Sequence, residues 1–195
     1  MITVEWCEPV DGPALRDLLD ADEAARVERL VRPEDRARFV TGRALLRTAA
    51  ATVLGGEPRA VVVRVRCARC GGPHGKPAVD GLEASIAHSG DRVVLAWRER
   101  GAVGVDVEER RPGRHVEDVV DQVLAPGERS EDLLRTWARK EAVLKLRGVG
   151  LTEPMTGVRL DDPTFHVTDL DLGAGYVAAV AAHDTAPVTV RRSRP

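Results

Sequence analysis

Val103-Gly104-Val105-Asp106-Val107-Glu108 alternates apolar and polar positions without a break. In a strand, Val103, Val105 and Val107 point to one side, and Gly104, Asp106 and Glu108 to the other. The two carboxylates then stand roughly 7 Å apart along the strand. Like charges placed so repel unless something positive lies between them. Oxygen-only ligands suit a hard divalent cation, Mg²⁺ with Mn²⁺ as the second choice. The competing expectation is a half-buried strand whose solvated outer face runs on into Glu109-Arg110-Arg111.

A second set of reactive groups lies in Leu133–Arg147. On a helix, Leu133, Leu134, Trp137 and Leu144 form the apolar stripe. Glu141 falls inside that stripe, Lys145 lies one turn further on its edge, and Lys140 lies on the opposite edge. A carboxylate on an apolar stripe is costly unless it is paired or bound to metal. The alternative is a surface Glu141–Lys145 pair at i,i+4, worth about 0.3 kcal/mol. In Ser85-Ile86-Ala87-His88-Ser89-Gly90-Asp91, His88 and Ser89 precede a strand and could donate to a phosphate; otherwise this is a capped turn. A hydrolytic Ser–His pair is disfavoured, because nucleophile and base meet in space rather than in sequence and no G-x-S-x-G elbow is present. Cys67-Ala-Arg-Cys70-Gly-Gly-Pro-His74 reads either as a zinc knuckle short of a fourth ligand or as a turn with two reduced thiols.

These groups need a scaffold, and 195 residues allow one large domain or two small ones with a real core. Hydrophobic residues make up 43% and charged residues 31%, the balance of a soluble globular protein. A net charge of -2 argues against a generic nucleic-acid or anionic-membrane binder. No apolar run is long enough to span a bilayer, and the first residues lack a secretory pattern, so a cytoplasmic, monomeric protein is expected. Of the 29 lysines and arginines, only Lys76, Lys140 and Lys145 are lysines. Lys140 and Lys145 belong to the helical segment Leu133–Arg147, and Lys76 stands between a glycine and a proline in Gly75-Lys76-Pro77.

The spacing predicts helices over 13–30 and 33–54, a strand over 60–65, and a Gly/Pro-rich loop over 67–81 that contains Gly75-Lys76-Pro77. Strands follow at 92–97 and 102–108, joined by a short polar turn. Helical material is expected at 115–124 and 130–147, then strands at 155–160, 164–168, 175–182 and 187–191. Arg43-Ala-Leu-Leu-Arg47 faintly echoes Glu141-Ala-Val-Leu-Lys145. That echo fits two similar α+β halves, 1–101 and 102–195.

Taken together the motifs resemble an Sfp-type 4′-phosphopantetheinyl transferase. The resemblance runs from about residue 36 to residue 151. It is carried by Gly42-Arg43-Ala-Leu-Leu-Arg47, Gly75-Lys76-Pro77, Ala87-His88-Ser89-Gly90, Gly104-Val-Asp106-Val-Glu108, Trp137-Ala-Arg-Lys140-Glu141-Ala-Val-Leu-Lys145 and Gly148-Val-Gly150-Leu151. It implies an α+β fold of two subdomains related by a pseudo-twofold, with coenzyme A in the cleft between them. It implies transfer of the phosphopantetheine arm to a serine of an apo acyl or peptidyl carrier protein, such as those of secondary metabolite biosynthesis, with release of adenosine 3′,5′-bisphosphate. By position, Asp106, Glu108 and Glu141 match the family's Mg²⁺ ligands. Lys145 matches the lysine on the pyrophosphate, Lys140 the first lysine of the same motif, and Glu128 a further acid near the metal in some members. Gly75, Lys76 and Pro77 match the adenine-side loop, and His88 matches a 3′-phosphate contact, with Ser89 beside it. Arg38 and Arg43 lie where basic residues of the second helix approach the nucleotide. Ala87 departs from the serine that many members carry. The Cys67–His74 loop is an addition that the motif set does not explain. Two other classes stay open on the residues alone: a metal-dependent nucleotide hydrolase using the same carboxylates, and a non-catalytic module organised by zinc.

Overall fold

The computed structural model describes residues 1–66, 71–72, 75–112, 119–148 and 153–194. The fold is α+β, built in four layers. The first sheet has the order β4-β5-β1-β9, with β1 at Ile2–Cys7, β4 at Glu83–Ser89, β5 at Arg92–Arg98 and β9 at Val188–Arg192. Its strands are antiparallel except that β9 runs parallel to β1. The last strand of the chain thus joins the sheet formed by the first hundred residues. The second sheet has the order β6-β8-β7, with β6 at Val103–Glu109, β7 at His166–Leu170 and β8 at Tyr176–Ala182, all antiparallel.

The layers follow from alternation along the strands. On β6 the valines 103, 105 and 107 pack with Val4, Val94 and Ala96 of the first sheet, filling the space between the two sheets. The opposite face of the first sheet is covered by the long helix α3, Pro33–Leu54, through Leu45, Leu46, Ala49 and Ala50. Pro33 opens that helix where no backbone N–H is needed, and Glu34 and Asp35 suit its N-terminal dipole. On the outer face of the second sheet lies α5, Leu133–Arg147, packed on Ala179 and Ala181. Asp132 caps its start, and Gly148 ends it in the left-handed region with φ 72°.

The expected helix over 13–30 is two helices, α1 at Pro13–Arg16 and α2 at Ala21–Arg29. Asp20 and Glu23 form a reciprocal capping box, which starts a new helix where periodicity alone ran through. The strand expected over 60–65 shrinks to Arg64–Val65 (β2), because Pro58 initiates a 3₁₀ turn at Pro58–Ala60; β2 pairs with Pro77–Ala78 (β3). The strand expected over 155–160 is a 3₁₀ turn, Met155–Gly157, set off by Pro154. The described helix in the 115–124 region is Val120–Val123 (α4), and residues 113–118 lie outside the description. Strands β1 and β4 were not anticipated, and β3 falls inside the loop expected over 67–81.

Helix α5 approaches β6 so closely that only glycine fits at position 104. A Cβ there would stand 2.0 Å from the Ala142 carbonyl oxygen and 2.3 Å from the Leu146 nitrogen. Both are backbone atoms and cannot swing aside. Gly104→Ala should therefore cost roughly 3 kcal/mol or more in urea unfolding, at the upper end of overpacking penalties. An unchanged midpoint would mean that α5 does not sit against this stretch of β6.

Candidate active site

The closeness of β6 and α5 places Asp106 and Glu108 under the side chains of Glu141 and Lys145. Lys145 Nζ donates to Asp106 Oδ1 at 2.6 Å. Among the described residues, Asp106 Oδ2 is buried with no hydrogen-bond partner. Asp106 is only 6% exposed, which corrects the expectation of a solvated face: α5 covers it. Its carboxyl is pushed up to about 7 by burial first, an effect that Lys145 opposes and that Glu108 and Glu141 reinforce. Glu141, at 9% exposure, is likewise raised by burial, eased by Lys145 and raised further by Glu108. The surface Glu141–Lys145 pair is thus not what forms; Lys145 reaches across to β6. Three carboxylates share one neighbourhood with one ammonium, so negative charge is in excess there.

Glu108 is held from the other sheet. Ser89 Oγ donates to Glu108 Oε2 at 3.0 Å and accepts the Glu109 N–H at 3.1 Å. Four residues earlier on β4, Ser85 Oγ accepts the Val105 N–H at 3.1 Å. These hydroxyls, rather than a backbone ladder, join β4 to the edge of β6 that β8 leaves free. The sequence signal for Ser85 was available: a polar residue among Ala84, Ile86 and Ala87 in what proves to be a strand. Tyr176 was also missed. Its hydroxyl accepts the Asp91 N–H at 2.9 Å and donates to Glu109 at 3.5 Å, fixing the β4–β5 turn to β6.

His88 stands next to this cluster. It reaches solvent, yet crowding by the surrounding chain, and then the charges of Arg38 and Lys145, hold its imidazolium below the usual histidine range. Arg38 is anchored by its Nε to the Gly90 carbonyl at 3.1 Å and by Nη1 to Asp35 at 3.0 Å. Arg38 and Lys145 therefore form a positive flank beside the carboxylates, and their charges disfavour the protonated form of the neighbouring His88.

Other expected site residues are engaged in contacts of their own. Lys140 is fully buried, and its Nζ donates to Glu128 Oε2 at 2.5 Å and to the carbonyls of Val123 and Met155 at 2.8 and 3.3 Å. Glu128 also accepts the Ala125 N–H at 2.8 Å. This pair ties α5 to the segments around it and is separate from the Asp106 cluster. Arg43 turns toward α2: its Nε is 3.0 Å from Glu23 Oε1, and its guanidinium lies 5.0 Å from the centre of the Phe39 ring. Burial lowers its pKa, with Glu23 opposing. Gly75 adopts φ 131°, and Pro77 begins β3. Lys76 Nζ donates to the carbonyls of Val103 and Lys145. Cys67, Cys70 and His74 lie outside the described residues.

A cavity of about 410 Å³ is lined by four acids, among them Glu131 and Asp132, and by four arginines, among them Arg135 and Arg139, and it does not include the Asp106 cluster. Its basic and acidic groups balance, and no polar side chain of the carboxylate cluster opens into it. Among the described residues, no group of three or more His, Cys, Asp and Glu side chains converges as a ready metal site. Lys145 occupies the Asp106 side of the carboxylates. Oxygen donors, an orphaned buried carboxylate oxygen and excess negative charge are nonetheless what a hard divalent cation would satisfy. No helix among the described residues is long and apolar enough to cross a membrane.

Residues 102–192, from β6 to β9, match the family model of the 4′-phosphopantetheinyl transferase superfamily. The 4′-phosphopantetheinyl transferase HetI of Nostoc sp. is 31% identical over 170 residues, covering 76% of this chain and 69% of HetI. The Synechocystis sp. protein slr0495 is 30% identical over 176 residues, covering 80% of this chain and 69% of its own. A 4′-phosphopantetheinyl transferase of Bacillus subtilis is 29% identical over 157 residues, covering 74% of this chain and 67% of its own.

Proposed function

This chain belongs to the 4′-phosphopantetheinyl transferase superfamily and is an enzyme of that class, and we propose that it moves the phosphopantetheine arm of coenzyme A onto a serine of an acyl or peptidyl carrier protein. The observation that carries the reading is the buried Asp106, with one oxygen on Lys145 and the other without a partner. Such a group is costly in a protein that does not use it.

Asp106, Glu108 and Glu141 are the residues that would hold Mg²⁺. When bound, the ion would neutralise the pyrophosphate and orient it for attack. Lys145 stabilises the charge that develops as the pyrophosphate linkage is cleaved, and this requires it to give up Asp106. The serine oxygen forms a bond to the β-phosphorus while the bond from that phosphorus to the bridging pyrophosphate oxygen breaks, and adenosine 3′,5′-bisphosphate departs. Glu141 accepts the serine proton. Burial raises its basicity, whereas Glu128 is committed to Lys140 and to the Ala125 amide. Arg38 supplies positive charge, and His88 a ring N–H donor, for the 3′-phosphate. We place coenzyme A between two halves that, β9 apart, divide near residue 101, where the hydroxyls of Ser85 and Ser89 bridge β4 to the β6 backbone.

The test is intact-mass analysis of apo carrier proteins of the fatty-acid, polyketide and non-ribosomal peptide types, incubated with the enzyme, coenzyme A and Mg²⁺. One phosphopantetheine added to at least one of them is expected. Release of phosphopantetheine or phosphate from coenzyme A with no carrier modified would instead make the protein a hydrolase.

A further inference from the structure

We propose that the Lys76 side chain is a positioning group, whose ammonium pins the start of β6 to the last turn of α5 and so sets how Asp106 meets Lys145, and that this ammonium does not contact the nucleotide. The inference deepens the transferase reading and rests on it for the part that concerns rate.

Its basis is where the ammonium goes. Nζ donates to the Val103 carbonyl at 2.9 Å and to the Lys145 carbonyl at 3.3 Å. Val103 is the first residue of β6, three before Asp106. Lys145 is in the last turn of α5, and its own side chain is the partner of Asp106. One cation therefore bridges the backbones of the two segments whose side chains must meet. The Lys145 carbonyl also accepts the Gly148 N–H at 3.2 Å, so it belongs to the helix C-cap, where a positive charge is favoured. Between the two anchor points, Gly104 lets the helix and strand backbones touch.

Among the described residues the ammonium is held by carbonyls rather than by a carboxylate. Burial lowers its pKa, and Glu83 only partly offsets this. A lysine that holds a phosphate must have donors free to reach the ligand. This one spends two of its three protons on backbone oxygens. Its own backbone is fixed as well, between Gly75 at φ 131° and Pro77, which is paired with Val65 in the β2–β3 ribbon.

Lys76→Met keeps the length of the side chain and removes the donors. Three measurements test it: amide hydrogen exchange of the substrate-free protein, coenzyme A binding by calorimetry, and steady-state transfer with coenzyme A and with dephospho-coenzyme A. Faster exchange is expected along Val103–Glu109 and in the last turn of α5. Turnover should fall about tenfold or more, the scale of a small misplacement. The KM for coenzyme A should stay within about twofold, and so should the preference for coenzyme A over dephospho-coenzyme A. His88→Ala is the comparator, in which that preference should narrow. A raised KM with a collapsed preference in Lys76→Met would make Lys76 a nucleotide contact and overturn the proposal. Unchanged exchange and unchanged turnover would overturn it too. Should Lys76→Met fail to fold, Lys76→Arg carries the same comparison, with lowered turnover and undisturbed KM expected. An enzyme that modifies no carrier would sink the transferase reading, and the exchange and binding results would still decide whether Lys76 clamps or binds.

Discussion

Asp106→Asn should lose transfer by roughly 10³-fold or more, the equivalent of several kcal/mol of charge stabilisation, and should unfold at a higher temperature than the parent when metal is absent. The two effects share one cause. The Asp106 carboxyl is buried against Glu108 and Glu141 with one oxygen unpaired, and it titrates at about 7 instead of at its ordinary 3.8. Between those values the folded state keeps a proton that the unfolded chain has lost. Metal-free stability therefore falls as pH rises through that window, and the contribution is flat above it. Asparagine does not titrate, so the variant lacks that slope. Its advantage should be absent near pH 4, open between pH 4 and 7, and persist at pH 8, on the order of 1 kcal/mol or more. Lys145 loses its partner, but at 26% side-chain exposure it can be hydrated. Thermal unfolding of both proteins at pH 4, 6 and 8 in chelator, together with transfer rates in Mg²⁺, checks the prediction. A variant that transfers at the parent rate would remove Asp106 from the site. A variant less stable at pH 8 would show that the carboxylate is satisfied in the fold and not held in reserve for a ligand.

Residues with strong local signals were legible in the sequence. The valine alternation of β6, Pro33 at the start of α3 and the apolar stripe of α5 gave those elements to within a residue or a few. Glu141 on the apolar stripe of its helix already indicated a carboxylate facing inward. What stayed hidden depends on contacts between distant segments. Nothing local says that Asp106 lies under α5, because the glycine that permits the approach looks like any small residue in a strand. The same holds for Lys76 and Lys140. Their types and motif positions suggested ligand chemistry, yet Lys140 is sealed among carbonyls and Glu128, and Lys76 bridges two carbonyls contributed by segments 27 and 69 residues away in sequence. Arg43 was read by its helix position, but the partner that claims it, Glu23, lies on a helix whose start only the capping box reveals. Strand β1 went unread even though Ile2, Val4 and Trp6 alternate with Thr3 and Glu5. Both faces of the first sheet are covered, so Thr3 and Glu5 are buried as well, and alternation there does not mark a wet side.

Glu141→Gln and Lys145→Ala should each lower turnover by roughly 10²-fold, the scale of a positioned base or of one charge-stabilising group, and the double variant should lose less than the product of the two. As a surface pair at i,i+4 they would affect stability by a few tenths of a kcal/mol and rate not at all. The structure separates them instead: Lys145 is bonded to Asp106, and Glu141 is buried beside both. Glu141→Gln keeps shape and hydrogen bonding but gives up the charge that would hold the cation and accept the serine proton. It also relieves repulsion with Glu108 and Asp106, so the metal-free protein should be no less stable than the parent. Lys145→Ala does the reverse. It removes the cation that opposes the upward shift of both carboxyls, so Asp106 and Glu141 should hold their protons to higher pH and the pH–rate profile should move to the alkaline side. Because the two residues act on one pyrophosphate and share Asp106 as a neighbour, their losses are coupled, and removing the second from an already damaged site costs less. Losses that multiply fully would place them at separate sites and break the single-cleft assignment. Parent-like turnover in both single variants would return α5 to a purely structural role.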